Sequence, residues 1–465
     1  MNLNQTLQEK YPHLEVSVFS YSKVKEHLIF GSEFNSNTRE NAIQSIVSNK
    51  NVNDYFELIN TNVSTLKEFI YIYDLTHSLG NFMIDVEPTQ EIGSNKKEAI
   101  KGDFVISRLR SYLKEMAVIQ SKNFKQLLST EYLVYRPKTN LLSSNTLLAF
   151  SLSRIVQTIL NYSQYGTEHP RFYEFVFNEM PIPKCLLLMN AEIDSIMNKA
   201  YEVLEQSKIF YKKAEETLYL ELGLDPKNPL QSLLDSKTNI PTNSLNISIR
   251  TLKESFLKTG RLDSEYYQSK YEDIEKFIKS YPNGYDSFSN IINNKDTNFT
   301  PKNNENYSYI ELANIGNNGN ISEPISDLGK NLPTRARRIV SKGDVIISSI
   351  EGSLSSCALI TQEFDKHLVS TGFFVLNSKL LNGETLLVMF KSQIFQEYLK
   401  KFPSGTILCA INKEELSKIL IPKIDPTTQE KIAKYIQESF NLRKKSKQLL
   451  DNAKNKVEEQ IQGKT

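Results

Sequence analysis

The chain has 465 residues, 56 Lys+Arg against 54 Asp+Glu, and a formal net charge of +2. With 39% hydrophobic and 24% charged residues it has an ordinary globular composition, which excludes a disordered tail and a collagen-like fibre. No apolar run approaches the roughly 20 residues that cross a bilayer, so no membrane partner is expected.

At roughly 150 residues per domain, two or three domains are expected. The opening MNLNQTLQEKYPHLEV lacks the basic-then-apolar pattern of a signal, which predicts a cytoplasmic chain. Taken alone, near-neutral charge argues against a nucleic-acid partner. In GDFVIS, from Gly102, a Gly-Asp turn feeds a β-branched run that reads as a buried strand. STEYLVY, from Ser129, reads as another strand. TLLAFSLSRIVQTILNYS, from Thr146, reads as helix, ending near Gly166-Thr167 where glycine takes a left-handed stop. EMPIPK predicts a strand closing at Ile182-Pro183. Then Ile193, Met197, Ala200, Leu204, Ser207, Tyr211, Ala214 and Leu218 fall at alternating four- and three-residue steps, the seam of a long coiled-coil helix. LDPKNPLQSLLDSKTNIPT, from Leu224, carries three prolines and reads as a linker.

The same order then recurs. KGDVIISSIEGSLSSCALITQEFDKHLVSTGFFVL, from Lys342, aligns without a gap on the stretch from Lys101, an offset of 241. Gly405-Thr406 answers Gly166-Thr167, and Ile421-Pro422 answers Ile182-Pro183, at an offset of 239. A second seam follows: Ile432, Tyr435, Ser439, Leu442, Ser446, Leu449 and Ala453. So long a period is a whole domain with its helix, not a solenoid unit. The expected plan is a first domain over 1–188, a first long helix over 189–222, a linker over 223–243, a second domain over 244–426, and a second long helix with its tail over 427–465.

The elements resemble the specificity (S) subunit of type I restriction-modification systems. The resemblance rests on Leu262-Asp263-Ser264-Glu265-Tyr266-Tyr267, Tyr309-Ile310-Glu311-Leu312, the two Gly-Asp-x-x-x-Ser strands, and the Ser-Thr pairs. Ser404-Gly405-Thr406, Ile421-Pro422 and Gln429-Glu430-Lys431-Ile432-Ala433 add to it. It covers nearly the whole chain, and its specificity lies in the order of the motifs and its repetition. The N-terminal copy departs more, with GSEFN as a loose opening and Tyr165 where Ser404 stands. The resemblance implies an α+β chain of two tandem α/β target-recognition domains, each followed by a long helix, with the helices packed as an antiparallel coiled coil. It implies a non-catalytic subunit that reads a bipartite DNA target and docks two methyltransferase (M) subunits and, where present, a restriction (R) subunit. S-adenosylmethionine, and ATP and Mg with an R subunit, would sit on those partners, with no cofactor in this chain.

The residues agree locally with DNA binding. Arg335, Arg337 and Arg338 stand within six residues just before an expected strand, and arginine grips phosphate or reads guanine bidentately. In the first copy Arg108, Arg110 and Lys114 follow GDFVIS, and His169 and Arg171 follow Gly166-Thr167. The glycines at 166 and 405 permit close backbone approach to phosphate, with Thr167 and Thr406 beside them. Enzyme signatures are missing: no G-x-x-x-x-G-K-[ST], no Asn/Asp-Pro-Pro-aromatic string, and no C-x-x-C or H-E-x-x-H, so no metal site is expected. Cys185, Cys357 and Cys409 are widely spaced and read as small hydrophobes. Asp103 and Asp344 read as turn residues. The competing readings are a protein scaffold without DNA specificity, an S-like subunit of a methylation-only system, and an enzyme with an unrecognised site.

Overall fold

The computed structural model describes residues 3–14, 16, 18–235, 249–405 and 408–463. It divides into two compact units, Met1–Leu204 with Lys444–Thr465, and Glu205–Arg443.

In unit 1 a four-stranded sheet runs in the order Phe56–Ile59, Tyr132–Pro137, Phe104–Ser107, Met116–Val118, all antiparallel. The run FVIS is buried throughout because the sheet is covered on both faces. Phe104 and Ile106 face helices, packing with Leu147, Leu148 and Val156, while Val105 faces Tyr73 and Leu128 of the other layer. Each such fully buried side chain contributes roughly 1.5–3 kcal/mol. That other layer is a second sheet, ordered Asn62–Val63, Lys96–Ala99, Lys125–Ser129, Ile70–Tyr73, whose last pair is parallel.

Unit 2 has a sheet of the same connectivity, Ile292–Asn294, Phe373–Ser378, Val345–Ser348, Cys357–Leu359. Val345 and Ile347 face its helices and Ile346 faces its second sheet. The second sheet runs Ile325–Leu328, Asn306–Ile310, Leu368–Ser370, Ala336–Ile339, again with one parallel pair.

The Gly-Asp turns take the expected form. Gly102 and Gly343 hold φ of +90° and +87°, and the carboxylates of Asp103 and Asp344 accept from the backbone N–H of Ile100 and Ser341. Asp103 is also clamped by Arg136 through two bonds of 2.8 Å, and Asp344 by Lys295.

Four expectations change. The long helical stretches are each broken in two, Ser144–Ser151 and Arg154–Asn161, Gly383–Lys391 and Gln393–Leu399, because Ser153 and Ser392 adopt the extended N-cap conformation. Gly166 does not end a helix. The helix stops at Asn161, and Gly166 turns a hairpin between Gln164–Tyr165 and Arg171–Phe172. The Ile-Pro strand forms in unit 2 as Leu420–Pro422 against Tyr285–Ser287, but in unit 1 it is one bridge between Asn51 and Pro181. The linker is partly helix: Pro229–Asp235 is helical and Leu224 and Leu233 join the core of unit 2, while 236–243 lies outside the described residues.

The long helices span Lys184–Glu221 and Pro426–Gln462, beginning slightly earlier than expected, and each contributes one segment to each unit. Each opens docked on its own unit, where Asn190 Oδ1 accepts from Ser143 N–H and Gln429 Oε1 accepts from Asn382 N–H, both at 2.9 Å. In unit 1 the two segments run in opposite directions, with Lys456 paired to Glu192 and Ser446 Oγ donating to the Ala200 carbonyl at 2.8 Å. In unit 2 Ser439 Oγ donates to the Ser207 carbonyl at 2.7 Å and Thr428 to Glu221 at 2.7 Å. Along the first helix Ile193, Met197, Ala200, Leu204, Ser207, Tyr211, Ala214 and Leu218 are buried. On the second helix the buried stripe takes the other phase. Ile432, Ile436, Ser439, Ser446, Leu450, Ala453, Val457 and Ile461 are buried, whereas Tyr435, Leu442 and Leu449 sit half-buried at its margin.

Candidate nucleic-acid interface

The turn that follows the Gly-Asp strand lies beside the glycine hairpin in unit 1. Arg110 N–H donates to the Pro170 carbonyl at 2.7 Å, Phe172 N–H donates to the Arg108 carbonyl at 3.1 Å, and Leu109 bridges Arg171. This frame gathers Arg108, Arg110, His169 and Arg171. Gly166 takes φ +85° and Thr167 is exposed in the same hairpin. Arg110 and Lys114 hold left-handed φ of +49° and +54°, a strain of roughly 1–2 kcal/mol for a side chain with a Cβ. The Arg110–Pro170 bond and Asn81 Nδ2, which donates to the Lys114 carbonyl at 2.8 Å, hold them there.

Their charges are not equally available. Arg171 Nη2 lies 2.7 Å from Glu131 Oε1 and its Nε 3.0 Å from Oε2, and Arg108 Nε lies 3.5 Å from Oε2. The Arg171 hydrogen bonds hold the Glu131 carboxyl below the usual carboxylate range despite some burial. One carboxylate thus offsets half of a two-arginine charge. Arg110 Nη2 contacts His169 Nδ1 at 3.0 Å in an exposed pair, and Lys114 is exposed.

Unit 2 builds the same frame. Ile411 N–H donates to the Ser349 carbonyl at 2.8 Å, Glu351 N–H to the Cys409 carbonyl at 3.0 Å, and Ile350 bridges Ala410. Offsets of 241 and 239 put Ser349 on Arg108, Glu351 on Arg110, Gly372 on Glu131, Leu408 on His169 and Ala410 on Arg171. The backbone bonds repeat while the side chains change from cationic to neutral and acidic. Gly405 has φ +131° and a Cβ there would lie 2.6 Å from the Leu408 carbonyl oxygen, so only glycine fits. Thr406 lies outside the described residues.

Arg335, Arg337 and Arg338 do not precede a strand as a loop cluster; the strand is Ala336–Ile339, at the edge of the second sheet of unit 2. Arg335 is exposed and carries no ion pair among the described residues. Arg337 donates to the Thr334 carbonyl and to Thr300 Oγ1. Arg338 points inward, its Nη1 donating to the Phe373 carbonyl at 2.8 Å, and burial lowers its pKa. At the matching place in unit 1, Lys97 Nζ donates to the Tyr132 carbonyl at 2.9 Å and is likewise depressed by burial. Arg338 thus braces the Phe373 carbonyl through Nη1 and is only partly exposed.

Sequence reasoning passed over Glu131, Ser349 and Glu351. Glu131 follows a Ser-Thr pair that had been aligned as strand, and nothing in one sequence marks it as the partner of arginines 23 and 40 residues away in the numbering. Among the described residues no group of three His, Cys, Asp or Glu is placed to hold a metal ion, and no helix is long and apolar enough to cross a membrane.

No protein-family model matches the chain. The HindI specificity subunit of a type I restriction enzyme from Haemophilus influenzae is 30% identical over 159 residues. That is 33% of each chain, so the match spans about a third of the curated relative's length. Among solved structures, the S subunit of a type I restriction-modification system from M. genitalium is 13% identical, covering 89% of this chain and 95% of that one, with a TM-score of 0.40. The HsdS subunit from Thermoanaerobacter tengcongensis is 15% identical over 87% and 95%, with a TM-score of 0.26. A chain from a study of type I R-M complex assembly is 15% identical over 87% and 96%, with a TM-score of 0.27. The likeness to type I restriction specificity subunits thus holds in sequence over that third of the chain.

Proposed function

We propose that the chain is the sequence-reading subunit of a type I restriction-modification complex, each unit recognising one half of a bipartite double-stranded DNA target. The observation that carries this reading is the repeated frame: the same backbone bonds, at constant offsets, present different side chains in the two units. A duplicated scaffold with divergent contact residues is what two unlike half-sites require, since phosphate contacts position and side chains at base edges specify. The curated relative is itself called a specificity subunit.

The two long helices act as an antiparallel coiled-coil spacer. About 30 residues of helix measure about 45 Å, enough to hold modules on half-sites about 34–36 Å apart. The repeat suits two identical M subunits, which bring S-adenosylmethionine; an R subunit, where present, brings ATP and Mg. This chain performs no chemistry of its own.

Methylome sequencing of a host carrying the chain with its M partner tests the reading. The expected result is one bipartite motif with a fixed spacer, absent when this chain is deleted. Methylation that persists without the chain, or a motif with a single undivided block, overturns it.

A further inference from the structure

Beside the arginine hairpin of unit 1 stands a ladder of rings. His27 stacks on Phe175 with centroids 3.7 Å apart, Phe175 on Tyr173 at 5.6 Å, and Tyr173 on Tyr165 at 4.3 Å. Phe34 meets Tyr173 and Phe175 edge-on, and the Arg39 guanidinium lies 3.8 Å over Phe34. Tyr165 ends the ladder. It has Tyr173 on one side, yet 41% of its surface is exposed.

The fold does not need this ladder. Unit 2 repeats the bracket below it, with Arg261 over Tyr266 and donating to the Phe402 carbonyl, as Arg39 lies over Phe34 and donates to Ser163. Above the bracket unit 2 has Ser404, Asn412 and Glu414 at the places of Tyr165, Tyr173 and Phe175. Ser404 keeps the same hairpin register, bridging Ala410 as Tyr165 pairs with Arg171. Where unit 1 stacks two tyrosines, unit 2 makes a 3.4 Å hydrogen bond from Asn412 to Ser404. An exposed aromatic terminus that the sister unit omits is therefore available for a ligand.

Tyr165 lies beside the basic groups of the frame, one of which, Arg171, is shared with Glu131. Arg171 is its strand partner, and the Arg110–His169 pair occupies the same hairpin and turn. A flat ring among groups that attract phosphate suits a nucleobase. Bases inside a duplex already stack on both faces, so only a base freed from one neighbour has a face to offer. We propose that Tyr165 is a stacking platform for an unstacked or extruded base of the DNA held by unit 1. This deepens the DNA-reading proposal and rests on it.

The test uses the full chain at low salt with two probes, a fully paired DNA duplex and the same duplex carrying one unpaired adenine, titrated by fluorescence anisotropy. The wild type is expected to prefer the unpaired-base duplex by about tenfold. Tyr165→Phe keeps that preference because the ring remains. Tyr165→Ser, which installs the residue that unit 2 uses, reduces the ratio to about one, and circular dichroism checks that the variant is folded. A wild type that binds both duplexes equally, or a Tyr165→Ser chain that keeps the tenfold ratio, overturns the platform alone. Binding to neither duplex, by the chain alone and by the chain assembled with its M partner, overturns the DNA reading and the platform with it.

Discussion

A guanidinium that donates to a buried carbonyl is poorly placed to grip phosphate, and Arg338 is held that way by the Phe373 carbonyl. Arg335, three residues earlier, is exposed. The two should separate cleanly on mutation. Arg338→Met leaves that carbonyl without its side-chain donor and should lower stability by roughly 1–3 kcal/mol. Arg335→Glu should leave stability within roughly 0.5 kcal/mol and weaken DNA binding about tenfold or more. With 23 tyrosines and no tryptophan, urea unfolding is best followed by circular dichroism, and binding by anisotropy. A stable Arg338→Met with lost binding, or the converse for Arg335→Glu, reverses the assignment. Glu215 supplies a second test at this scale. Burial pushes its carboxyl up to about 7, with Lys391 partly opposing. A carboxyl whose folded pKa is raised favours the fold below its unfolded pKa near 4.5, and that contribution is lost as pH rises through about 7. Glu215→Gln removes the ionisable group. It should therefore be the more stable chain at pH 8, by roughly 1–2 kcal/mol more than at pH 5, in paired urea titrations.

At the scale of the element, small residues recur along the buried stripes of the two long helices. Ala200, Ser207, Ala214, Ser439, Ser446 and Ala453 are all fully or almost fully buried. Ser446 donates to the Ala200 carbonyl, which is already engaged in its own helix, so Ser446→Ala removes one bond without orphaning an acceptor. It should cost roughly 0.5–1.5 kcal/mol. Ser446→Leu overpacks the same spot and should cost roughly 1–3 kcal/mol; a neutral leucine in thermal unfolding would mean the seam is loose. The phase error on this helix shows what was legible. Steps from Ile432 through either residue 435 or 436 to Ser439 are equally helical, and the large side chains of Tyr435, Leu442 and Leu449 favoured the wrong one. The Gly-Asp strands were readable because a β-branched run buried on both faces has few other uses. The breaks at Ser153 and Ser392 were not, because an N-cap serine inside an apolar stretch looks like any small helical residue until its backbone turns extended. In the candidate site the cations of unit 1 were legible as charge after a strand. The Glu131 clamp and the inward turn of Arg338 depend on pairings across sheet strands that a linear reading does not contain.

For the whole molecule, a net charge of +2 fits a chain whose charges have divided tasks. Arg108 and Arg171 share Glu131, and Lys97 and Arg338 are turned inward. At the frame of unit 1 the groups left outward are Arg110, Lys114 and His169. A protein that neutralises few phosphates has a shallow salt dependence, so the isolated chain should bind DNA weakly and the assembled complex tightly. The spacer reading makes a geometric demand on the same assembly. Seven residues inserted at matching points of both long helices preserve the 3.5-residue seam and add about 10 Å of helix. At about 3.4 Å per base pair that is about three base pairs. The methylation motif recovered with the lengthened chain should keep both half-sites and widen its central gap by about three base pairs. Four residues inserted instead should shift the seam around the helix, weaken the packing, and reduce methylation more than they move the gap. A gap unchanged by the seven-residue insertion, with both half-sites still methylated, would show that something other than the helices sets the spacing.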